Sequence, residues 1–210
     1  SIINIANTVS IFSAFTLNGT WLPLLPESFR IPTALLIAIL SSILFGIFNG
    51  TLISKTSAPS LISTLGTMIF FQGIGMALTS GVSVGNIVFS FTEFGKAELY
   101  GIPVIFVIFL MVSILLTIFL EETRFGRELY LYGENKVAAR FCGINTEKVC
   151  ACTFILSAIL SGISGLIILS RVNSAKVGYG SSYLLQTMIV CVVGGINPNG
   201  GSGRVRGVFL

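Results

Sequence analysis

The residue types that usually carry out chemistry are scarce in this chain. It contains no histidine, and its eight acidic residues are all glutamate. This composition excludes histidine-based catalytic triads, the common zinc sites and the Walker-B aspartate of an ATPase. The phosphate-binding loop G-x-x-x-x-G-K-[ST] does not occur in the sequence either. We therefore expect no catalytic residue, no metal site and no cofactor bound by this chain.

The four cysteines do not have the spacing of a metal or redox site. They are Cys142, Cys150, Cys152 and Cys191, and no pair has the C-x-x-C spacing. Residues two apart on a helix point to different sides, which separates Cys150 from Cys152. We interpret all four as small apolar packing residues.

The charged residues are concentrated in one segment. Residues 121–148 hold ten of the twenty Lys, Arg and Glu residues of the chain. Within the segment, residues 135–140 are predicted to form a helix of about two turns. Gly133 before it and Gly143 after it are typical of a helix start and stop. The small Ala138-Ala139 face would fit closely into a groove of another protein. A solvated helix that only joins two membrane spans remains the alternative.

The rest of the chain is too apolar for a soluble domain. Hydrophobic residues make up 53% and charged residues 10% of the sequence, whereas soluble domains carry about 25% charged residues. Six apolar runs occur, at 2–17, 31–53, 59–78, 102–120, 149–169 and 183–196. The first is interrupted by Asn and Thr and is the weakest. The last, at about 14 residues, is short enough for a re-entrant or short tilted segment.

These runs predict an all-α fold, a polytopic transmembrane helical bundle in one domain, residues 1–210. The sequence begins without Met and ends in an apolar stretch, so we expect it to be part of a longer chain. The segment 121–148 is predicted to be cytoplasmic, together with 54–58 and 197–206. That side then holds eight Lys and Arg residues against four on the other side, as the positive-inside rule requires. We expect a lipid bilayer and no nucleic acid as the environment.

Several short motifs follow one another along the chain. They are FNG at 48–50, TLGT at 64–67, GIPV at 101–104, TRFGR at 123–127, GENKVAA at 133–139, Gly143-Ile144, and glycines at 194, 195, 200, 201, 203 and 207. With these motifs the chain resembles the permease subunits of bacterial ABC sugar importers, the ribose, galactose and xylose group. It departs from them at Glu134 (usually Gly), at Tyr183 (usually acidic) and at Arg206, which adds a charge to the glycine-rich stretch.

The resemblance implies a function and a set of partners. The chain would be the permease subunit of an ATP-driven importer that moves a monosaccharide across the bacterial cytoplasmic (inner) membrane. Its partners would be an ABC ATPase subunit carrying ATP and Mg²⁺, a second permease subunit and an extracytoplasmic solute-binding protein. The segment 121–148 would hold the coupling helix that docks into the ATPase. The residues implied in coupling are Gly126, Arg127, Gly133, Asn135, Ala138, Ala139, Gly143 and Ile144.

Other transported solutes remain open. Branched-chain amino-acid permeases share the Ala-Ala and Gly-Ile-Asn patterns, although TLGT and the two double glycines favour the sugar group. Nucleosides or another small solute are further alternatives. A secondary, ion-coupled carrier is an alternative of another class, but it usually needs an ionisable residue inside a span, and the span centres here carry none.

A neutral solute would need uncharged polar neighbours along its path. The candidates are Asn49, Thr64, Gln72 and Gln186. Gln72 is the first choice because it is a large amide inside an apolar span. For each candidate, an ordinary hydrogen bond between helices is the alternative. Small residues let membrane helices approach closely, and we expect this of Gly46, Gly50, Gly73, Gly75, Gly162 and Gly165.

Overall fold

The computed structural model of the chain describes residues 2–21, 26–55, 60–196, 203 and 207–208. The helices in chain order are α1 (Ile2–Leu17), α2 (Glu27–Lys55), α3 (Ser60–Thr79), α4 (Phe89–Lys96), α5 (Val104–Glu122), α6 (Arg124–Glu134), α7 (Lys136–Phe141), α8 (Thr146–Val172) and α9 (Leu184–Val193). A two-stranded hairpin, β1 (Glu98–Leu99) and β2 (Ile102–Pro103), precedes α5, and a 3₁₀ helix (Tyr179–Tyr183) leads into α9. Parts of the segments singled out in the sequence, residues 56–59, 197–202 and 204–206, lie outside the described residues.

Four helices are long and apolar enough to cross a membrane: α2, α3, α5 and α8. Helix α5 is the most apolar, with a mean hydropathy of 2.8. Ser113 is its only buried residue, so nearly all of its apolar surface faces outward, as expected for a helix surrounded by lipid. The prediction of an all-α, polytopic transmembrane bundle is confirmed. Helices α1 and α9 are apolar but shorter.

The helix with the weakest apolar pattern, α1, is the most enclosed. Its polar residues are buried, and their hydroxyl groups donate to carbonyls of the preceding turn, as from Thr8 to Asn4 (2.8 Å) and from Ser13 to Val9 (3.0 Å). The Asn4 side chain donates to the Met68 carbonyl of α3 at 2.8 Å. Polar residues therefore interrupt this run because the helix contacts protein rather than lipid.

Helices α2 and α8 pack antiparallel through glycines. A Cβ at Gly46 would lie 2.7 Å from the Ile155 Cα, and one at Gly50 would lie 2.9 Å from the Ala151 Cα. On α8, a Cβ at Gly162 would overlap the Ser42 hydroxyl, and one at Gly165 would overlap the Ala6 carbonyl. The predicted close approach is confirmed at all four glycines.

The two glycines of α3 differ from each other. A Cβ at Gly75 would lie 3.0 Å from a methyl carbon of Val177, whereas one at Gly73 would meet no described atom within 4 Å. The prediction of close packing at Gly73 is therefore wrong within the described part of the chain. Glycine spacing along a sequence does not reveal which side of the helix another helix covers.

The segment between α3 and α5 is more ordered than the sequence suggested. It contains α4 and the hairpin between two of the apolar runs. Helix α4 lies so close to α8 that a Cβ on Gly95 would be 2.7 Å from the backbone of Ser170. Val84 and Ala175 exchange two backbone hydrogen bonds of 2.8 Å. These contacts join the end of α3 and the end of α8 on the side opposite to residues 121–148.

Candidate coupling helix and solute path

Helix α7 begins at a side-chain cap. The backbone of Asn135 is extended, and its Oδ1 accepts hydrogen bonds from the amides of Val137 (2.9 Å) and Ala138 (3.1 Å). Such a cap satisfies backbone donors that have no partner within the helix. The predicted helix at residues 135–140 agrees with α7 within one residue, but Gly133, interpreted as its start signal, lies inside α6. The signal for the start was Asn135 itself, a preferred capping residue.

The end of α7 follows the prediction. Gly143 has a φ of +79°, which a glycine adopts without steric cost. The amides of Cys142 and Ile144 donate to the carbonyls of Ala138 (3.0 Å) and Ala139 (3.1 Å). The next helix starts almost at once, because the Asn145 side chain accepts from the Lys148 amide at 3.1 Å. A tight, hydrogen-bonded turn therefore connects α7 to the long helix α8.

The outward face of α7 differs from the predicted one. Ala139 is buried at 3% exposure, so it is not available for a partner protein and the prediction of an Ala138-Ala139 docking face is wrong for Ala139. Ala138 is exposed, and the flanking Val137 and Phe141 are 64% and 87% exposed. Val137 and Phe141 are four residues apart and share one helical face. The exposed apolar residues of α7 are therefore Val137, Ala138 and Phe141.

The first motif of the charged segment forms a corner between α5 and α6. The Thr123 hydroxyl accepts from the Gly126 amide at 3.3 Å and so caps α6. Gly126 is buried, and a Cβ there would overlap the Leu120 carbonyl. Arg127 is exposed. The structure thus gives Gly126 a packing role, whereas Arg127 is accessible.

Helix α6, which the sequence analysis missed, packs against the start of α8. Burial, with the nearby Cys150 as a second cause, raises the pKa of Tyr132 to about 12. The Tyr132 side chain therefore stays neutral at physiological pH and can hydrogen-bond to Cys150. Its neutral ring joins α6 to α8 beside α7.

The four predicted solute-path residues do not come together. Asn49 is 1% exposed, and neither polar atom of its amide has a hydrogen-bond partner among the described residues. Thr64 borders a cavity. Gln72, the first choice, and Gln186 are exposed on α3 and α9. Their side chains face away from the core formed by the described helices.

The cavity that Thr64 borders has a volume of 550 Å³ and lies between α1, α3, α8 and α9. Ligand-binding pockets of proteins are typically about 300–1,000 Å³. Its walls are mostly apolar, with Ile3, Met68 and Phe154 among them, and Thr187 of α9 adds a second hydroxyl. Thr187 was not singled out in the sequence, since one Thr in an apolar run gives no specific signal.

No group of three or more metal-ligating side chains occurs in the part of the chain that the structure describes. The features that the described residues offer are an exposed capped helix, a largely apolar cavity and a buried amide. Such an arrangement can bind a partner protein and admit a small solute. None of these features supplies an acid–base or nucleophilic group.

The chain is similar to proteins that are known importer subunits. A model of the family "Branched-chain amino acid transport system / permease component" matches residues 2–210. The ribose import permease protein RbsC of Haemophilus influenzae is 36% identical over 193 residues, which are 89% of this chain and 58% of that protein. The autoinducer 2 import system permease protein LsrD of Yersinia enterocolitica is 33% identical over 192 residues, 88% of this chain and 56% of LsrD.

RbsC of Bacillus subtilis is 34% identical over 164 residues, which are 77% of this chain and 51% of that protein. The chain thus spans about half the length of the curated relatives it matches. No solved structure matches it significantly. The family match and the apolar helices make the chain a multi-pass protein of the bacterial inner membrane. It belongs to the family of permease components of branched-chain amino acid transport systems, and it is similar to ribose and autoinducer 2 import permeases.

Proposed function

We propose that this chain forms part of the permease subunit of an ATP-driven ABC importer that translocates a monosaccharide across the inner membrane. The observation that carries the proposal is helix α7, a short capped helix outside the spans whose exposed apolar residues are Val137, Ala138 and Phe141. An exposed apolar face on a helix outside the membrane spans is suited to a partner protein. That partner is an ABC ATPase subunit, which binds ATP and Mg²⁺.

The link between α7 and α8 supports a route by which ATP hydrolysis would move the spans. The turn at Gly143 is hydrogen-bonded, and α8 contacts α1 and α2 through Gly165 and Gly50. A displacement of α7 is therefore passed to the α1–α2–α8 core rather than absorbed in a loop. Packed cores change between discrete arrangements, which suits access alternating between the two sides of the membrane. A second permease subunit and an extracytoplasmic solute-binding protein complete the importer.

The solute class follows from the relatives. RbsC is named as a ribose importer subunit and LsrD as an autoinducer 2 importer subunit, and a small polar solute fits both. A branched-chain amino acid is the second candidate, because the family description names that substrate class. Uptake of labelled ribose and of labelled leucine by the full-length importer separates the two candidates.

The docking face is tested by Ala138→Trp, with Ala138→Ser as its matched control. Ala138 is exposed, so the larger side chain leaves the fold intact but obstructs the docked surface. We expect Ala138→Trp to abolish solute uptake and ATPase stimulation in proteoliposomes while membrane insertion is retained, and Ala138→Ser to behave as wild type. Normal uptake and ATPase stimulation by Ala138→Trp would show that α7 does not dock. Uptake that collapses with an uncoupler but survives ATP depletion would identify a secondary carrier instead.

A further inference from the structure

A second surface near α7 carries an unbalanced positive charge. A pocket of 590 Å³ lies between the C-terminus of α2, one side of α7 and the start of α8. Lys55, Lys136 and Arg140 line it, and Glu147 is its one acidic residue. None of these four takes part in an ion pair within the part of the chain described here. The pocket, called the basic pocket below, therefore keeps an excess of two positive charges.

The packing of α2 against α8 places these charges together. The antiparallel alignment that sets Gly50 against Ala151 brings the last residue of α2, Lys55, close to the first turn of α8. Lys136 and Arg140 are four residues apart, so they share one face of α7. That face is distinct from the Val137 and Phe141 face, since neither of those residues lines the pocket. The N-terminus of α8 adds the partial positive charge of a helix dipole.

The basic pocket also lies at the end of an exposed apolar stripe. Phe48, Leu52 and Lys55 are separated by four and three residues, so they follow one another along one face of α2. Phe48 and Leu52 are 42% and 36% exposed. An occupant of the pocket therefore meets positive charge where the apolar span ends. It also meets the exposed apolar surface of α2 immediately next to the pocket. A free anion would use only the first of these features.

We propose that the basic pocket binds the phosphate headgroup of an anionic phospholipid, with an acyl chain along Phe48 and Leu52. Basic pockets between transmembrane helices on the cytoplasmic side are suited to anionic lipid headgroups. This assignment does not depend on the ATPase, because the lipid occupies the side of α7 that faces α2 and α8. The lipid holds α7 at the membrane surface and leaves the Val137, Ala138 and Phe141 face free.

The test compares two sets of charge removals in the full-length permease, purified without its ATPase. The first is Lys55→Gln, Lys136→Gln and Arg140→Gln. The matched control removes three exposed cations at the opposite end of the spans, by Lys96→Gln, Arg171→Gln and Lys176→Gln. Binding of phosphatidylglycerol is measured by native mass spectrometry and in nanodiscs of phosphatidylcholine with or without phosphatidylglycerol.

We expect the first set to weaken phosphatidylglycerol binding by about a hundredfold, from the usual contribution of each cation near an anionic membrane. The control set should bind as wild type. Glu147→Gln, which removes the pocket's one negative charge, should tighten binding by about fivefold. Misfolding cannot tighten binding. The gain expected for Glu147→Gln therefore tests the pocket independently of any loss of structure in the first set.

Three results would overturn the proposal. Equal phosphatidylglycerol binding by wild type and the first set would show that the basic pocket is not the site. Full displacement of the lipid by inorganic phosphate would identify a free anion as the occupant. In a separate assay with added ATPase, weakened association of the first set together with unchanged lipid binding would assign the pocket to the protein partner. Failure of Ala138→Trp to uncouple transport would leave the lipid result unaffected.

Discussion

Gly50 of α2 lies against Ala151 of α8 so closely that a Cβ on Gly50 would stand 2.9 Å from the Ala151 Cα. One turn earlier, Gly46 meets the Ile155 backbone in the same way. Helices in lipid gain little from hydrophobic association and rely on close packing instead. This contact therefore sets the spacing between α2, which ends at the basic pocket, and α8, which begins there.

Gly50→Ala should destabilise the protein, because the added methyl group must push two helix backbones apart. Overpacking of this kind costs about 1–3 kcal/mol. Gly66→Ala is the matched control, since a Cβ at Gly66 meets no described atom within 4 Å and alanine favours the helix by about 1 kcal/mol over glycine. The melting temperature in detergent measures the stability of both variants. Equal or higher stability of Gly50→Ala would mean that the close contact does not limit packing.

Asn135→Ala should loosen α7 without unfolding the spans. The substitution removes the oxygen that accepts from Val137 and Ala138, and loss of such a cap costs about 1 kcal/mol. Hydrogen exchange of the backbone amides in residues 136–141 should accelerate by roughly fivefold, whereas exchange in α8 stays unchanged. Asn135→Ser keeps a capping oxygen and should retain most of the protection. Identical exchange in Asn135→Ala and Asn135→Ser would contradict the capping role.

The sequence predicted the four spans α2, α3, α5 and α8 because each is apolar over a length that can cross a membrane. Helix α5, in which Ser113 is the only buried residue, is nearly all aliphatic and Phe in sequence. Helix α1 gave the weakest pattern for the opposite reason, since its surroundings are other helices that accept Asn and Thr side chains. The apolar pattern of a run therefore indicates the surroundings of the helix as well as its presence.

The predictions near the candidate site were less accurate because they depended on the direction in which side chains point and on how distant helices align. Ala138 and Ala139 are adjacent in sequence, but they point to different sides of α7 and only Ala139 is buried. Gly133 was interpreted as a helix start, although α6 continues through it to Glu134. The alignment of α2 with α8, which gathers the basic pocket, arises from contacts between residues about a hundred positions apart. Local spacing carries no information about such contacts.

Tyr132 should make the protein sensitive to alkaline pH. Burial and Cys150 raise the pKa of Tyr132 to about 12, from 10.0 in the unfolded chain. Between these two values the folded state keeps a proton that the unfolded state has lost, so the stability contributed below pH 10 is lost progressively as pH approaches 12. The melting temperature of Tyr132→Phe should fall less steeply over this pH range than that of wild type.

Tyr130→Phe serves as the control for Tyr132→Phe, because Tyr130 is on the same helix but is 40% exposed. It should follow the wild-type profile throughout. A decline of the same steepness in Tyr132→Phe and wild type would show that the Tyr132 proton does not contribute to folding stability.

Asn49→Leu separates a solute-path role from a structural one. The Asn49 amide is buried at 1% exposure and lacks a hydrogen-bond partner within the described residues. Replacing an unpaired buried polar group by an apolar group of similar shape is close to neutral or stabilising. If the amide contacts solute during transport, Asn49→Leu should lower uptake by about tenfold or more, the effect of losing a buried hydrogen bond of about 1–3 kcal/mol, with thermal stability at or above that of wild type.

Ser42→Ala provides the comparison for Asn49→Leu, because Ser42 is also buried on α2 but donates to the Ala38 carbonyl at 2.7 Å. Its loss should change uptake little. Reduced stability of Asn49→Leu would mean that the amide has a partner in the folded importer and acts structurally. Unchanged uptake with unchanged stability would remove Asn49 from the solute path, leaving Thr64 and Thr187 at the 550 Å³ cavity as the polar groups to examine next.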